Sequence, residues 1–334
     1  MLTLNKNIKI ILNYVVGPLV FCVLIYSITT QLQRQENWKE SIAKIGNAFT
    51  GENLLVFALI IALMFINWGI EARKWQVALK PSYTISFKQS FKAIFTGTTM
   101  GFFTPNRMGE YIGRILYLKS GSRLKSIAIT IVCSIAQLLI TLAGGLIGVI
   151  SVYWVVANRN GVIPGSLFQV LTVLAIAALI ILTVLFFKIR VVGKWMSSVK
   201  QLRKIAPYIR VLDSFNATIL LRILSLSGGR YLVFILQYYL IFQVFDVKIS
   251  WLETFWSVGV TFLILAAIPS IALITELGIR WKASVELVRL FSPNTVGILT
   301  SSLAIWFINL VIPALIGSLL ILGLKFFRKP ESES

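Results

Sequence analysis

Six long apolar runs, separated by stretches rich in lysine and arginine, set the pattern of this chain: residues 10–28, 54–68, 127–156, 167–187, 231–245 and 296–324. A helix that crosses a bilayer needs about 20 apolar residues. Most of the runs meet that length, and 231–245 reaches it only by borrowing flanking residues. Two further apolar segments, 93–118 and 251–291, are each broken by glycine, proline and charge. The pattern predicts an all-α, polytopic membrane helical bundle. It has about six full spans plus two re-entrant broken-helix hairpins; reading each hairpin as spanning segments is the alternative count.

The basic residues write an orientation, because Lys and Arg concentrate in cytoplasmic loops. With the N-terminus inside, the first span exits near Thr29. Residues 31–53 then lie outside, where Arg34, Lys39 and Lys44 are balanced by three glutamates. Arg73, Lys74, Lys80, Lys88 and Lys92 follow the second span inside, and Lys119, Arg123 and Lys125 follow the first hairpin inside. That hairpin therefore enters and leaves from the cytoplasm. A short outer turn at 158–165 leads to the most basic segment, 188–230, which ends at a span leaving near Asp246. The second hairpin is then entered from outside, and Lys325, Arg328 and Lys329 return the C-terminus to the cytoplasm. One integral membrane domain, 1–327, divides into halves at about 1–160 and 161–327 as an inverted repeat, and 328–334 form a short disordered tail.

Composition narrows the function classes. The chain is 57% hydrophobic and 13% charged, against roughly 25% charged in soluble domains. Its net charge of +20 is spread over the loops, so a nucleic-acid partner is not expected. Within 188–230, the stretch 194–210 alternates basic and apolar residues and suits the inner leaflet. Recruitment of a cytoplasmic enzyme partner is the other reading of that segment. With no histidine in the chain, His-based triads, zinc sites and haem ligation are excluded. Cys22 and Cys133 fall in separate spans and imply no disulfide framework. No cofactor is expected, and the lack of an ATP-binding motif argues against primary active transport. The first run follows Lys6 and Lys9 without a cleavage site and reads as a retained anchor.

Charge inside the apolar pattern marks the candidate site. The stretch Thr104-Pro105-Asn106-Arg107-Met108-Gly109-Glu110-Tyr111-Ile112-Gly113-Arg114 has a capping threonine and a proline suited to a first helical position. On the helix expected to follow, Arg107, Glu110 and Arg114 share one face at i, i+3 and i+7. Charge at bilayer depth is costly and usually lines a cavity or substrate path. The second hairpin repeats the elements with Pro269, Glu276, Gly278 and Arg280. Glu110–Arg114 and Glu276–Arg280 are both Glu-before-Arg pairs at i, i+4, the favourable order. Paired broken elements in two inverted halves point to a midplane transport site. The plainer reading of both is an interfacial loop with snorkelling side chains.

Arginines beside helix N-termini suit a phosphate headgroup. The glutamates would orient them, and Gly109, Gly113 and Gly278 would permit close backbone approach or hinge motion. Glu71 and Arg73 either join this charged site or form an interfacial ion pair. Trp68, Trp75, Trp154, Trp251, Trp256 and Trp281 read as an interfacial belt, and Pro18 and Pro313 as helix kinks.

At these residues the chain resembles the lysylphosphatidylglycerol synthase transmembrane, or flippase-like, family. The first family motif, T-P-x-R-x-G-E-x-x-x-R, runs from Thr104 to Arg114, and Pro269, Glu276 and Gly278 match a second element more loosely. The resemblance implies lipid handling in a bacterial cytoplasmic membrane. The chain is then expected to be a flippase or transporter of a phospholipid or polyprenoid-type anionic lipid. The resemblance implies a headgroup site of Thr104, Pro105, Arg107, Gly109, Glu110, Arg114, Glu276, Gly278 and Arg280, with no catalytic residue. No aminoacyl-transferase domain is appended, so a synthase is not expected. A membrane enzyme using Glu110, Glu253 or Glu276 as general base, or an accessory subunit, is the alternative.

Overall fold

The computed structural model describes residues 53–322 except 103, 105, 106, 158–164, 203, 204 and 269–272, together with residues 22, 26, 30, 39 and 43. For residues 120, 165, 167, 171, 202, 273–277 and 322 it describes the backbone alone. The expected first span, the outer segment 31–53 up to residue 52, most of the turn at 158–165 and the tail therefore lie outside the described residues, apart from those five positions.

The described residues are all-α. The helices are α1 (Asn53–Leu79), α2 (Phe87–Phe102), α3 (Gly109–Ile115), α4 (Arg123–Ala157), α5 (Gly165–Phe187), α6 (Ile189–Ser198), α7 (Ala206–Ile209), α8 (Ala217–Val244), α9 (Trp251–Ala267), α10 (Leu273–Val288), α11 (Thr295–Trp306) and α12 (Ile312–Leu322). A π-helical turn, Phe307–Val311, joins α11 to α12 without a break in the span. Among the described residues, five helical stretches are long and apolar enough to cross a membrane: Asn53–Leu79, Arg123–Ala157, Phe168–Phe187, Ala217–Val244 and Thr295–Ile321.

Local chemistry explains where these helices begin. Asn216 accepts a hydrogen bond from the Ile219 N–H at 2.8 Å and starts α8. Ser250 and Glu253 form a reciprocal capping box on α9, and Asn294 caps α11 through the Gly297 N–H at 2.9 Å. Each cap satisfies an N–H that has no partner inside its helix.

Two elements correct the sequence expectation. Helix α1 continues past Trp68 to Leu79, so Lys74 is on a spanning helix and only 1% exposed, not in a loop. Likewise α8 starts at Ala217 rather than near residue 231, which places Arg230 near the middle of a 28-residue spanning helix. The basic segment 188–230 is therefore not one cytoplasmic loop. Its first part forms α6, which packs Ile189 and Gly193 inward against the turn Arg210–Ser214 and leaves Val191, Lys194 and Trp195 exposed. That mix of apolar and basic side chains suits a membrane interface.

The bundle is assembled on small residues. Helix α4 packs on α9 and α1 packs on α8. At the α4–α9 crossing, a Cβ added to Gly148 would lie 2.6 Å from the Trp256 carbonyl oxygen. Without a hydrophobic driving force between helices in lipid, such close backbone approach supplies much of the packing. Helix α2 lies against α3 and α12, and Thr99 Oγ1 donates to the Ala314 carbonyl at 2.7 Å. The first hairpin is thereby fixed to the last span.

Candidate functional site

The charged residues meet in one buried cluster centred on Glu71 of α1. Its carboxylate contacts Lys74 Nζ at 2.7 Å, Arg114 Nη2 at 3.1 Å and Arg230 Nη1 at 3.0 Å. Asn67, one turn earlier, accepts from Arg230 Nε at 2.7 Å. Lys74 also donates to Gln137 Oε1 of α4 at 3.4 Å. Side chains that are costly alone at hydrocarbon depth are held here by mutual pairing. Of the two readings open for Glu71, the structure gives the first: it belongs to the charged site. Arg73 does not, being exposed and bonded to Gln76 at 2.6 Å.

The first motif joins this cluster through Glu110. Its carboxylate takes Arg107 Nε at 2.7 Å and Arg114 Nη2 at 3.2 Å. Thr104 Oγ1 accepts from the Gly109 N–H at 2.6 Å, but the capping position of α3 is Met108, so the helix starts at Gly109 and not directly after Thr104 as expected. Pro105 lies outside the described residues. One expectation is corrected: Arg107 precedes the helix and adopts a left-handed backbone, φ 57°. The turn is closed by the Arg107 N–H to the Thr104 carbonyl at 3.1 Å, so the residue reaches Glu110 from the turn and not from a shared helix face. Helix α3 has only seven residues, so the guanidinium groups, rather than a helix dipole, supply the positive charge here. Gly113 explains how closely α3 lies on α2, since a Cβ there would stand 2.5 Å from Gly97 Cα.

Of the second motif, Arg280 on α10 donates from Nη1 to Tyr238 Oη at 2.9 Å. Gly278 is also on α10 and meets nothing within 4 Å among the described residues. Glu276 is helical, but its side chain lies outside the described residues.

A cavity of about 550 Å³ ties the two motifs together. Arg107, Arg230 and Arg280 line it with the apolar side chains of α8, α9 and α11, and its described lining contains no carboxylate. Arg230 lies over the Trp68 ring at 5.1 Å and the Phe234 ring at 5.4 Å, cation–π geometry in both cases. The surrounding cluster sets four cations, Lys74, Arg107, Arg114 and Arg230, against two carboxylates, Glu71 and Glu110. Its formal excess is two positive charges. Among the described residues no group of three or more His, Cys, Asp or Glu is placed to hold a metal ion.

Lys74 and Arg230 were hidden from the sequence by the habit of assigning basic residues to loops. The signals were present: apolar residues continue on both sides, and Asn216 is a helix cap fourteen positions before Arg230. Trp68 and Trp75 correct the interfacial-belt reading. Both are buried, one beneath Arg230 and one donating from Nε1 to Thr130 Oγ1 at 3.0 Å. Trp154 and Trp251 do face outward.

Spanning apolar helices around a buried ionic cluster and an arginine-lined cavity define a multi-pass integral membrane protein. The chain belongs to the Lysylphosphatidylglycerol synthase TM region family, whose profile matches residues 11–317. That membership associates it with lipids. No curated protein gives a significant match to the chain.

Proposed function

We propose that this protein moves an anionic lipid between leaflets, holding the headgroup phosphate at Arg107, Arg230 and Arg280. The observation that carries the reading is the convergence of three guanidiniums, from the α2–α3 turn, α8 and α10, on one cavity whose other walls are largely apolar. Guanidinium groups bind phosphate by paired, charge-assisted hydrogen bonds. The apolar walls suit the first segments of a lipid chain, and the volume falls within the usual range for a small-ligand site. Two excess positive charges in the adjoining cluster favour an anion over a zwitterion.

Arg230 gives the site its depth. It stands near the middle of a spanning helix, where a bound headgroup is about halfway across the hydrocarbon core. In this reading α2–α3 and α9–α10 are oppositely facing re-entrant elements, and small movements of each would open the cavity to one leaflet or the other. The site is cytoplasm-facing through the first and outward-facing through the second. Glu71 and Glu110 orient Arg230, Arg107 and Arg114 between substrate molecules.

The test is transport in proteoliposomes. Dithionite bleaching of fluorescent phosphatidylglycerol should proceed past the outer-leaflet fraction with the protein present. It should stop at that fraction in protein-free vesicles, and equal bleaching in both would reject the proposal.

A further inference from the structure

We propose that helix α6 is a binding surface for an anionic lipid leaflet. Val191 and Trp195 lie among the lipid chains, and Lys194, Lys200 and Arg210 pair with headgroup phosphates. None of these residues lines the arginine cavity, so the surface is separate from the proposed transport site.

Two spanning helices fix where α6 sits. Lys188 alone separates its start at Ile189 from the end of α5 at Phe187. The backbone of Lys188 leaves the helical region (φ −96°, ψ 23°) and so divides α6 from the span. On its other side, Arg190 Nε donates to the Phe215 carbonyl, next to Asn216, which caps α8. Gly193 lets α6 close on the turn Arg210–Ser214, since a Cβ there would already stand 3.3 Å from Leu212 Cβ. Helix α6 is thus held between the end of one span and the start of the next, a position that belongs to the headgroup layer.

The faces of α6 select the occupant. Residues four apart share a face of a helix. Ile189 and Gly193 make the buried face, Arg190 and Lys194 an exposed basic stripe, and Val191 and Trp195 an exposed apolar one. Trp195 is 66% exposed and Val191 61%. A tryptophan beside a lysine on an outer face is the composition of an interfacial helix, with the ring at headgroup level and the ammonium reaching the phosphates. Lys200 and Arg210 are exposed as well, and residues 188–222 carry eight Lys or Arg against Asp213 alone. Lipid rather than protein is favoured by α5, where Val173, Leu174, Ile180 and Ile181 are all exposed, so the span leading into α6 has a face for acyl chains. In the orientation that the basic residues predict, this leaflet is the cytoplasmic one, whose anionic lipids attract such a segment.

Quenching of Trp195 by brominated lipids in vesicles of the full-length protein tests this. The fluorescence of wild type minus that of Trp195→Phe isolates the residue. Acyl-brominated phosphatidylglycerol is compared with acyl-brominated phosphatidylcholine at equal mole fraction in a phosphatidylcholine bilayer. Both should quench Trp195, the phosphatidylglycerol form about twofold or more strongly, because nearby Lys and Arg enrich anionic lipid. Lys194→Gln combined with Lys200→Gln should bring the two close to equal, as should about 1 M salt. Equal quenching by the two lipids in the wild type overturns the inference. Quenching by aqueous acrylamide with none by either lipid also overturns it, and gives the surface to a soluble protein partner instead. Neither result touches transport through the arginine cavity. The wild-type comparison decides the matter even if the double lysine variant does not fold.

Discussion

Glu71 Oε2 accepts a hydrogen bond from Arg230 Nη1 at 3.0 Å, joining two spanning helices across 159 positions of sequence. The same carboxylate also serves Lys74 and Arg114. It is the only carboxylate that touches either Lys74 or Arg230 among the described residues, whereas Lys74 is one cation of three. Glu71→Gln therefore strands more charge than Lys74→Met does. Removing one partner of a buried ion pair costs about 3–5 kcal/mol. The thermal midpoint in detergent should fall by several degrees for Glu71→Gln and by clearly less for Lys74→Met. Equal shifts would show that Glu71 is not the hub. The double variant should regain part of the loss, because it removes one of the stranded cations.

Gly113→Ala should destabilise the first hairpin. Its new methyl would meet Gly97 Cα at 2.5 Å, a backbone atom that cannot swing aside. Overpacking of this kind costs about 1–3 kcal/mol. Gly229→Ala, where nothing lies within 4 Å, serves as the control on α8 and should not lower the thermal midpoint.

Pro313→Ala should regularise the last span. Alanine restores an N–H for the Asn309 carbonyl and removes the steric cause of the π turn. The thermal midpoint in detergent should hold or rise; a clear fall would show that the π turn is held by its packing and not by Pro313.

The sequence made the helical bundle and one motif legible for a physical reason: apolar length and proline–glycine–charge interruptions are local signals. The Thr104–Pro105 signal placed the start of its helix four residues too early, whereas the Glu110–Arg114 pair could be read from spacing alone. The partner of Arg114 could not, because Glu71 lies 43 positions earlier and reaches it only through the packing of α1 beside the hairpin. Arg230 was obscured by charge statistics, which cannot distinguish a loop arginine from a buried one whose carboxylate comes from another helix. Trp68 shows the same limit, since a tryptophan near an apparent span end becomes a core residue once the helix runs eleven residues further to Leu79. The π turn Phe307–Val311 has a local signal in Pro313, which reads from sequence as a kink and in the structure widens the helix instead.

In the proposed function Arg230 takes the phosphate of a lipid in transit. Dithionite bleaching of fluorescent phosphatidylglycerol in proteoliposomes, comparing Arg230→Ala with the exposed-residue control Arg73→Ala, tests it most directly. Both variants should first be shown to reconstitute as monodisperse protein. Bleaching should reach the wild-type rate for Arg73→Ala and stay near the protein-free level for Arg230→Ala; wild-type rates in both variants would rule out a phosphate role for Arg230.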